Sequence, residues 1–581
     1  MDFTVDLVHL NQNGTPQNFD GEVALELVEP DSAAACAELA TLANLGSAVF
    51  NDQERLTVTG LTHGDAIPAA QIRVTEVNPP GNSDPQQGCS SDPFTIRPHH
   101  LSLTASQGDW ESPGTDQTLD AGSATEGPVH KAGHPFTLQG EALNEGGDPV
   151  TGFDETGVLD WSLADPPHEP DHVLGDYVPD AAGFPGDASG FRTDSAEYSE
   201  VGVLELTLTD EGNFAARSDD RSAGHCVTGS SSNTPDGEGR YGCRSATEGP
   251  ATVGRFVPAD FSQTVSDPGR WEGRCSGVFS YLGQPFGYAP GREPELAIEA
   301  RNAEGGTTAN YTGPFAQLEP ADVARTPPGE DGSQEGRDGA PLEVDTVAFE
   351  AGDLTDNGDG TLTYTFSVDD ELAYVRDLDR DDDGAIDTRV APFQADLTVS
   401  VDAVEDADGV TATSLEDPHP ESAEIRFGRL GLENAHGPEL ASLDVPVRAE
   451  HFDGERFAGN GADDCTSLSR SGAADAVRLE LDDGGTWVDA GTEVDLVGGT
   501  GGTTEGTGVS GLDAGQGALT LAAPGEGSTG YVDLRANLAD LPWLRVDRDG
   551  DGSFTEHPQA RATFGRYRGD DRILYWQEVF P

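Results

Sequence analysis

The chain holds one lysine, Lys131, and one methionine, and aromatic residues make up only 7% of its 581 positions. Its positive charge is therefore almost all arginine. With 32 Lys plus Arg against 106 Asp plus Glu, the formal net charge is −74. That balance excludes a phosphate backbone or an anionic leaflet as a partner, because both are held by basic patches that are missing here. No run approaches the roughly 18 consecutive apolar residues of a membrane-spanning helix. The opening MDFTVDLVHLNQN places Asp2 and Asp6 where a signal peptide carries a basic and then an apolar segment, so an exported chain would lack its own address. Also missing are GxSxG, HExxH, GxxxxGK[ST] and a GxGxxG between strand and helix, and with them the signatures of the corresponding hydrolases, metalloproteases and nucleotide-binding enzymes.

The acidic surplus is spread along the whole chain instead of forming a tail. Such a surface repels itself less in brine, where the screening length falls from about 8 Å to about 3 Å. A salt-adapted source is expected. A GC-rich genome would account for arginine over lysine, but not for the surplus of acid. Cys36, Cys89, Cys226, Cys243, Cys275 and Cys465 are even in number and none lies in a CxxC, which fits an oxidising compartment. Of the possible connectivities, Cys36 with Cys89 and Cys226 with Cys243 rank first because each pair falls within one expected domain. Cys275 and Cys465 are left without an assigned partner.

What is abundant is turn-forming residues, with 74 Gly and 38 Pro, set between short alternating segments such as FTVDLV, EVALELV, FTLQGEA, LELTLTD, LTYTFSV and VRLELDD. Alternation over four to eight residues reads as a strand with one buried face. No 12-residue window carries a 3.6-residue apolar period, so the expected class is all-β, as tandem immunoglobulin-like β-sandwich domains. An internal repeat supports this. Gly133-His-Pro-Phe136, then ALNEGG and Phe153, matches Gly283-Gln-Pro-Phe286, then ARNAEGG and Tyr311. An arginine sits in a short apolar run near each expected junction: FTIRPHHL, VGRFVPADF and IRFGRLGL. Domains are accordingly placed at 1–98 (expected as a sandwich incomplete at its N-terminal end), 99–254, 255–427 and 428–581. The Gly-, Ser-, Thr- and Asp-rich stretches 219–240, 326–340 and 498–517 read as excursions from the sandwiches.

The sharpest chemical signal is Asp-x-Asp-x-Asp-Gly, present as DRDDDG from Asp379 and as DRDGDG from Asp547. Composition alone would supply on the order of 0.1 such motifs. Carboxylates at alternate positions before a glycine turn gather hard oxygens around one point, which suits calcium. The expected ligands are Asp379, Asp381, Asp383 and Asp387 in the first loop, and Asp547, Asp549, Asp551, Ser553 and Glu556 in the second. Neither loop completes an EF-hand, since Val390 and Pro558 stand at the twelfth positions. The competing reading is a solvated acidic turn. The stretch TDNGDGTLTYTF at 355–366 reads instead as a structural hairpin turn. The His99–His100 and His168–His172 pairs read as solvated loop residues, and Trp110, Trp161, Trp271, Trp487, Trp543 and Trp576 as packing residues rather than a sugar platform.

From IRFGRLGLENAHGPELASLDVPVRAEHFDGERFAGNGADDCT through ALTLAAPGEGSTGYVDL to LPWLRVDRDGDGSFTEHPQARATFGRYRGDDRILYWQEVF, the sequence resembles the C-terminal domain of MshQ-like proteins. Upstream, CSSDPFTIRP, GRFVPADF and YLGQPF extend the resemblance. This family is linked to biogenesis of the mannose-sensitive haemagglutinin (MSHA) type IV pilus. The resemblance implies a secreted, surface-exposed structural component with no catalytic activity, whose partners are pilus or cell-envelope proteins. It places Cys89, Cys275, Cys465 and the acidic loop 547–556 in family-like blocks without giving any of them a role. Family members are usually longer, with a signal peptide and often a lectin-like sandwich, so this chain looks like the C-terminal portion of one. The alternative is a calcium-dependent adhesin that binds host or environmental glycans, with a polysaccharide-active enzyme a distant third.

Overall fold

The computed structural model describes residues 2–108, 116–153, 156–167, 172–178, 186–187, 190–210, 224–380, 382–473 and 475–565. Trp110, His168, Asp381 and Trp576, together with the rest of the chain after Gly565, lie outside them. The described chain is all-β, a succession of immunoglobulin-like sandwiches. Its only helical pieces among the described residues are three-residue 3₁₀ turns.

In the first sandwich, Phe19–Val28, Thr41–Gln53 and Ile67–Val77 form one sheet with the short Gln87–Cys89 and Phe94–Ile96. Asp2–Val8 pairs with Arg55–Thr62 to form the other layer. The alternation in FDGEVALELV decides the faces. Val23, Leu25 and Leu27 turn inward onto Leu7, Phe50 and Ile72, while Glu22 and Glu26 stay on the outer face. The second sandwich packs a sheet containing Gly157–Asp165, Gly202–Asp210 and Ala251–Val257 on one containing His100–Gly108, Phe136–Leu143 and Gly190–Tyr198. Phe136, Leu159, Phe191, Tyr198, Leu206 and Phe256 fill the space between them.

The third sandwich sets Asp260–Asp267, Glu295–Arg301 and Thr361–Thr365 against Phe286–Tyr288, Pro341–Ala348 and Glu371–Tyr374. At its centre Trp271 stacks on Tyr288, with ring centroids 4.3 Å apart. Its hairpin from Asp353–Asp356 to Thr361–Thr365 turns through Gly358 and Gly360, both at positive φ. The fourth sandwich opposes Leu443–Phe452 and Gln516–Leu521 to Ala476–Asp483, Thr529–Asn537 and Gln559–Phe564.

Two features cross the expected domain borders. Strand Ala251–Val257 runs through the 254/255 border and completes the second sandwich, so the chain enters the third only at Asp260–Asp267. Further on, Cys275, Phe279 and Tyr281 leave the third sandwich and pack in the core of the fourth with Leu430, Val445 and Leu479. Phe279–Tyr281 pairs in parallel with the linker strand Glu424–Arg426. The buried Tyr281 hydroxyl donates to Asp463 at 2.6 Å and accepts from Asn460 at 2.8 Å.

Cys36 bonds Cys89, Cys226 bonds Cys243, and Cys275 bonds Cys465, 190 residues away. The pair that sequence reasoning left open is the one joining two sandwiches, because an argument confined to one domain cannot reach it. Replacing both Cys275 and Cys465 by Ser is expected to destabilise the fourth sandwich by about 5 kcal/mol on the chain-entropy account, read as a lowered urea midpoint.

His130 is held edge-on between Phe136 and Phe256, and burial pushes its pKa down to about 4. The folded chain thus resists a proton that the unfolded chain takes up near pH 6.5, so the group costs stability as pH falls from 6.5 toward 4. Urea midpoints measured across this interval should fall in the wild type by the equivalent of up to about 3 kcal/mol, and should fall less in His130→Gln.

Candidate functional site

The structural work of this chain is concentrated where one sandwich meets the next. At the first junction Arg97 is 7% exposed, and its guanidinium donates to Pro98 O, Ser232 O and Asn233 Oδ1. Asn233 in turn donates to His99 O at 2.7 Å. Ser232 and Asn233 come from the segment closed by Cys226–Cys243, so that disulfide holds a cap against the linker. Alongside it, Asp65 of the first sandwich accepts both the N–H and the hydroxyl of Thr151 from the second.

At the second junction Arg255, 3% exposed, forms a two-pronged pair with both carboxylate oxygens of Asp408 in the third sandwich. Its Nε donates to Glu126 O at 2.9 Å, so three of its donors are satisfied in a dry place. The second copy of the internal repeat sits here as well. Ala303 N donates to Ala132 O at 2.9 Å and Asn302 Nδ2 to Ser199 O at 3.0 Å, while buried Glu200 accepts the N–H groups of Ala309 and Asn310. Burial lifts the pKa of Glu200, and those N–H donors oppose the shift. Gly133 is needed here, since a Cβ on it would lie 3.0 Å from Ala303 N and its φ is +76°. The first copy of the repeat supplies the neighbouring joint through Thr151. The repeat is thus a docking turn.

At the third junction Arg426 donates to Glu424 and to Asn460, and its guanidinium lies 4.3 Å above the Phe279 ring. A second arginine closes this joint. Arg376, 5% exposed, reaches from the third sandwich to Gly428 O, Arg545 O and Phe554 O, and stacks 4.6 Å over Phe427. The linker arginines were legible in the apolar runs that hold them. Their partners Asn233, Asp408 and Asn460, and Arg376 itself, carry no local signal.

The two aspartate loops meet at this third joint. Their sixth-position glycines touch, and a Cβ on Gly552 would lie 1.8 Å from Gly384 O. Both glycines have positive φ, so each loop can present bare backbone to the other. In the first loop Asp379 accepts the N–H groups of Asp383 and Gly384, and Asp383 that of Ala385. In the second, Asp547 accepts from Gly550 and Gly552, and carboxylate oxygens of Asp547, Asp549 and Asp551 lie within 4.8 Å of one another. The closing residues match. Asp387 Oδ2 takes the N–H of Arg380 at 2.8 Å, and Glu556 Oε2 takes that of Arg548 at 2.6 Å, the second residue of each loop. Ser553 turns its hydroxyl to Thr555 at 3.0 Å.

His99 and His100 face each other, Nδ1 to Nδ1, at 3.1 Å beside the first linker, with Glu248 3.9 Å from His100. Trp487 is covered by the Arg535 guanidinium at 4.8 Å.

These features define a multi-module protein with an arginine at each sandwich junction, of which Arg255 and Arg376 are buried and tie one sandwich to the next. Residues 200–426 match the third domain of DUF6701 and residues 426–579 the fourth. The two matches together span more than half of the chain, which belongs to the DUF6701 family, and their common border falls on the linker residue Arg426. No curated protein matches the chain. Among solved structures it is similar to the Escherichia coli adhesin FdeC, at 10% identity over 80% of this chain and 98% of that one with a TM-score of 0.28. It is also similar to invasin, a bacterial integrin-binding protein, at 12% identity over 96% and 75% with a TM-score of 0.28. Likeness at that level carries no functional argument.

Arg255→Ala should cost about 3–5 kcal/mol, because it leaves the Asp408 carboxylate unpaired at the joint. Combining it with Asp408→Ala should cost less than the sum of the two single changes by more than about 1 kcal/mol, as measured by a double-mutant cycle in urea.

Proposed function

We propose that this chain is a non-enzymatic structural component of a surface-exposed pilus or adhesion apparatus of the MSHA type, working as a stiff rod between partners in the cell envelope. The observation that supports this best is that buried Arg255 joins the second sandwich to the third through both carboxylate oxygens of Asp408, and buried Arg376 reaches from the third sandwich into the fourth. A chain of freely swivelling modules has no use for such contacts, whereas a spacer that must hold a distance or carry a load does. The Cys275–Cys465 bond adds a covalent link at the last joint, and disulfides persist in the oxidising surroundings outside the cytosol. The resemblance of the sequence blocks to MshQ-like proteins supports the pilus assignment. The acidic surface suits a protein that stays soluble and apart from anionic envelopes until it meets its own partners.

Deleting the gene in its native cells should reduce attachment to surfaces, and the wild-type chain should restore it. The purified chain should select no sugar on a glycan array. Unchanged attachment would end the reading, and selective glycan binding that disappears on chelation would put a carbohydrate-binding adhesin in its place.

A further inference from the structure

Two imidazoles and a carboxylate meet at the first linker. Neighbouring side chains of an extended strand point to opposite faces. The Nδ1 atoms of His99 and His100 nevertheless face each other at 3.1 Å, with their rings crossed at 86°. The backbone around them is pinned. His99 N donates to Leu143 O at 2.9 Å, His99 O accepts from Asn233 Nδ2 at 2.7 Å, and Pro98 O accepts from Arg97 and from the buried Ser245 hydroxyl. Leu101 N donates to Ala246 O at 2.9 Å, and a parallel bridge between Leu101 and Thr247 brings Glu248 up to His100. Oε1 of Glu248 lies 3.9 Å from His100 Nδ1, and the three ligand atoms all lie within 4.8 Å of one another. His99 and His100 are half-buried and Glu248 is exposed, so the cluster opens to solvent on the carboxylate side.

We propose that His99, His100 and Glu248 bind one zinc ion, with water in the fourth position, and that the ion fastens the first linker to the segment that follows the disulfide-closed cap. With zinc–nitrogen distances of about 2.0–2.1 Å, the 3.1 Å between the two Nδ1 atoms subtends about 100°, near the tetrahedral angle. Two imidazoles and one carboxylate are a set that zinc takes with one position left open. Calcium and magnesium prefer all-oxygen ligands. A direct hydrogen bond between the rings is the competing account, but it gives Glu248 no part, since 3.9 Å is beyond hydrogen-bond range. The ion also has a mechanical place. Arg97 already holds Ser232 and Asn233 inside the cap, and zinc adds a second grip at Glu248 beyond it. His99 further lines a cavity with His63 and Asp65 of the first sandwich and Asn144 and Val150 of the second, so fixing its ring stiffens the seam between them. The site stands apart from the pilus reading and does not depend on it.

The full chain, stripped with chelator and then freed of it, is titrated with zinc chloride by calorimetry in excess magnesium, which occupies unselective carboxylate sites. One ion per chain is expected, with a dissociation constant of about 10⁻⁶ M, weakened at least about tenfold in His99→Gln, His100→Gln and Glu248→Gln. The zinc-free melting temperature of Glu248→Gln should equal that of the wild type, so this variant carries the comparison if a histidine variant does not fold. Zinc should raise the wild-type melting temperature and slow amide exchange at residues 99–101 and 246–248. Cobalt(II) in its place should give the intense visible bands of a four-coordinate ion. No binding heat, or several weak sites that the three substitutions leave unchanged, would overturn the site. Six-coordinate cobalt bands would overturn the tetrahedral zinc assignment, and binding without slower exchange would overturn the fastening.

Discussion

A guanidinium carries its charge at any pH a protein meets, and it has five donors to satisfy. Burying one at a junction between domains is therefore tolerable only if both neighbours offer acceptors in a fixed arrangement. Arg255 meets that condition at the second joint, between Glu126 O and Asp408, and Arg376 at the third, between Asp377 and the carbonyls of Arg545 and Phe554, while Arg97 and the half-buried Arg426 engage Asn233 and Asn460 from their linkers. Once those contacts exist, the angle between sandwiches is no longer free, because rotating one against the next would strand a charge away from both water and its partner. The docking turns of the internal repeat and the stacking of Arg376 on Phe427 act within the geometry that these residues set.

The same constraint bears on the charge balance. Arginine is scarce beside the acidic residues, and much of it is committed inside the molecule. Arg325 is paired with Asp370 under the Phe366 ring, Arg376 fills the last joint, and Arg97 and Arg255 fill the first two. On the outer faces the remaining arginines, Arg192, Arg274 and Arg456 among them, are outnumbered by carboxylates. A self-repelling surface tends to swell a chain, and rigid joints oppose that tendency most where salt does not screen it.

The strands were legible because alternation in segments such as FDGEVALELV and FTLQGEAL settles which side chains face inward, whatever lies across the sheet. The linker arginines were legible as charges in otherwise apolar runs, and the aspartate loops as spacings too regular for their composition. The link between Cys275 and Cys465 was not legible, since the segment around Phe279 leaves one sandwich to pack in the next, and no local pattern announces such an exchange. Nor was the meeting of the two aspartate loops. They are far apart in sequence and were read as separate sites, whereas their glycines touch.

The sequence by itself determined the class of fold, the succession of modules, the acidic surface and the presence of a cation at each junction, because periodicity, turn residues and charge act locally and can be read one segment at a time. Only the tertiary structure decided which residue answers each arginine, which cysteines meet, and that Asp387 is enclosed with an unanswered oxygen. Those outcomes depend on distances between residues that the chain brings together only after its sandwiches have packed, and such distances are a property of the whole assembly of sheets.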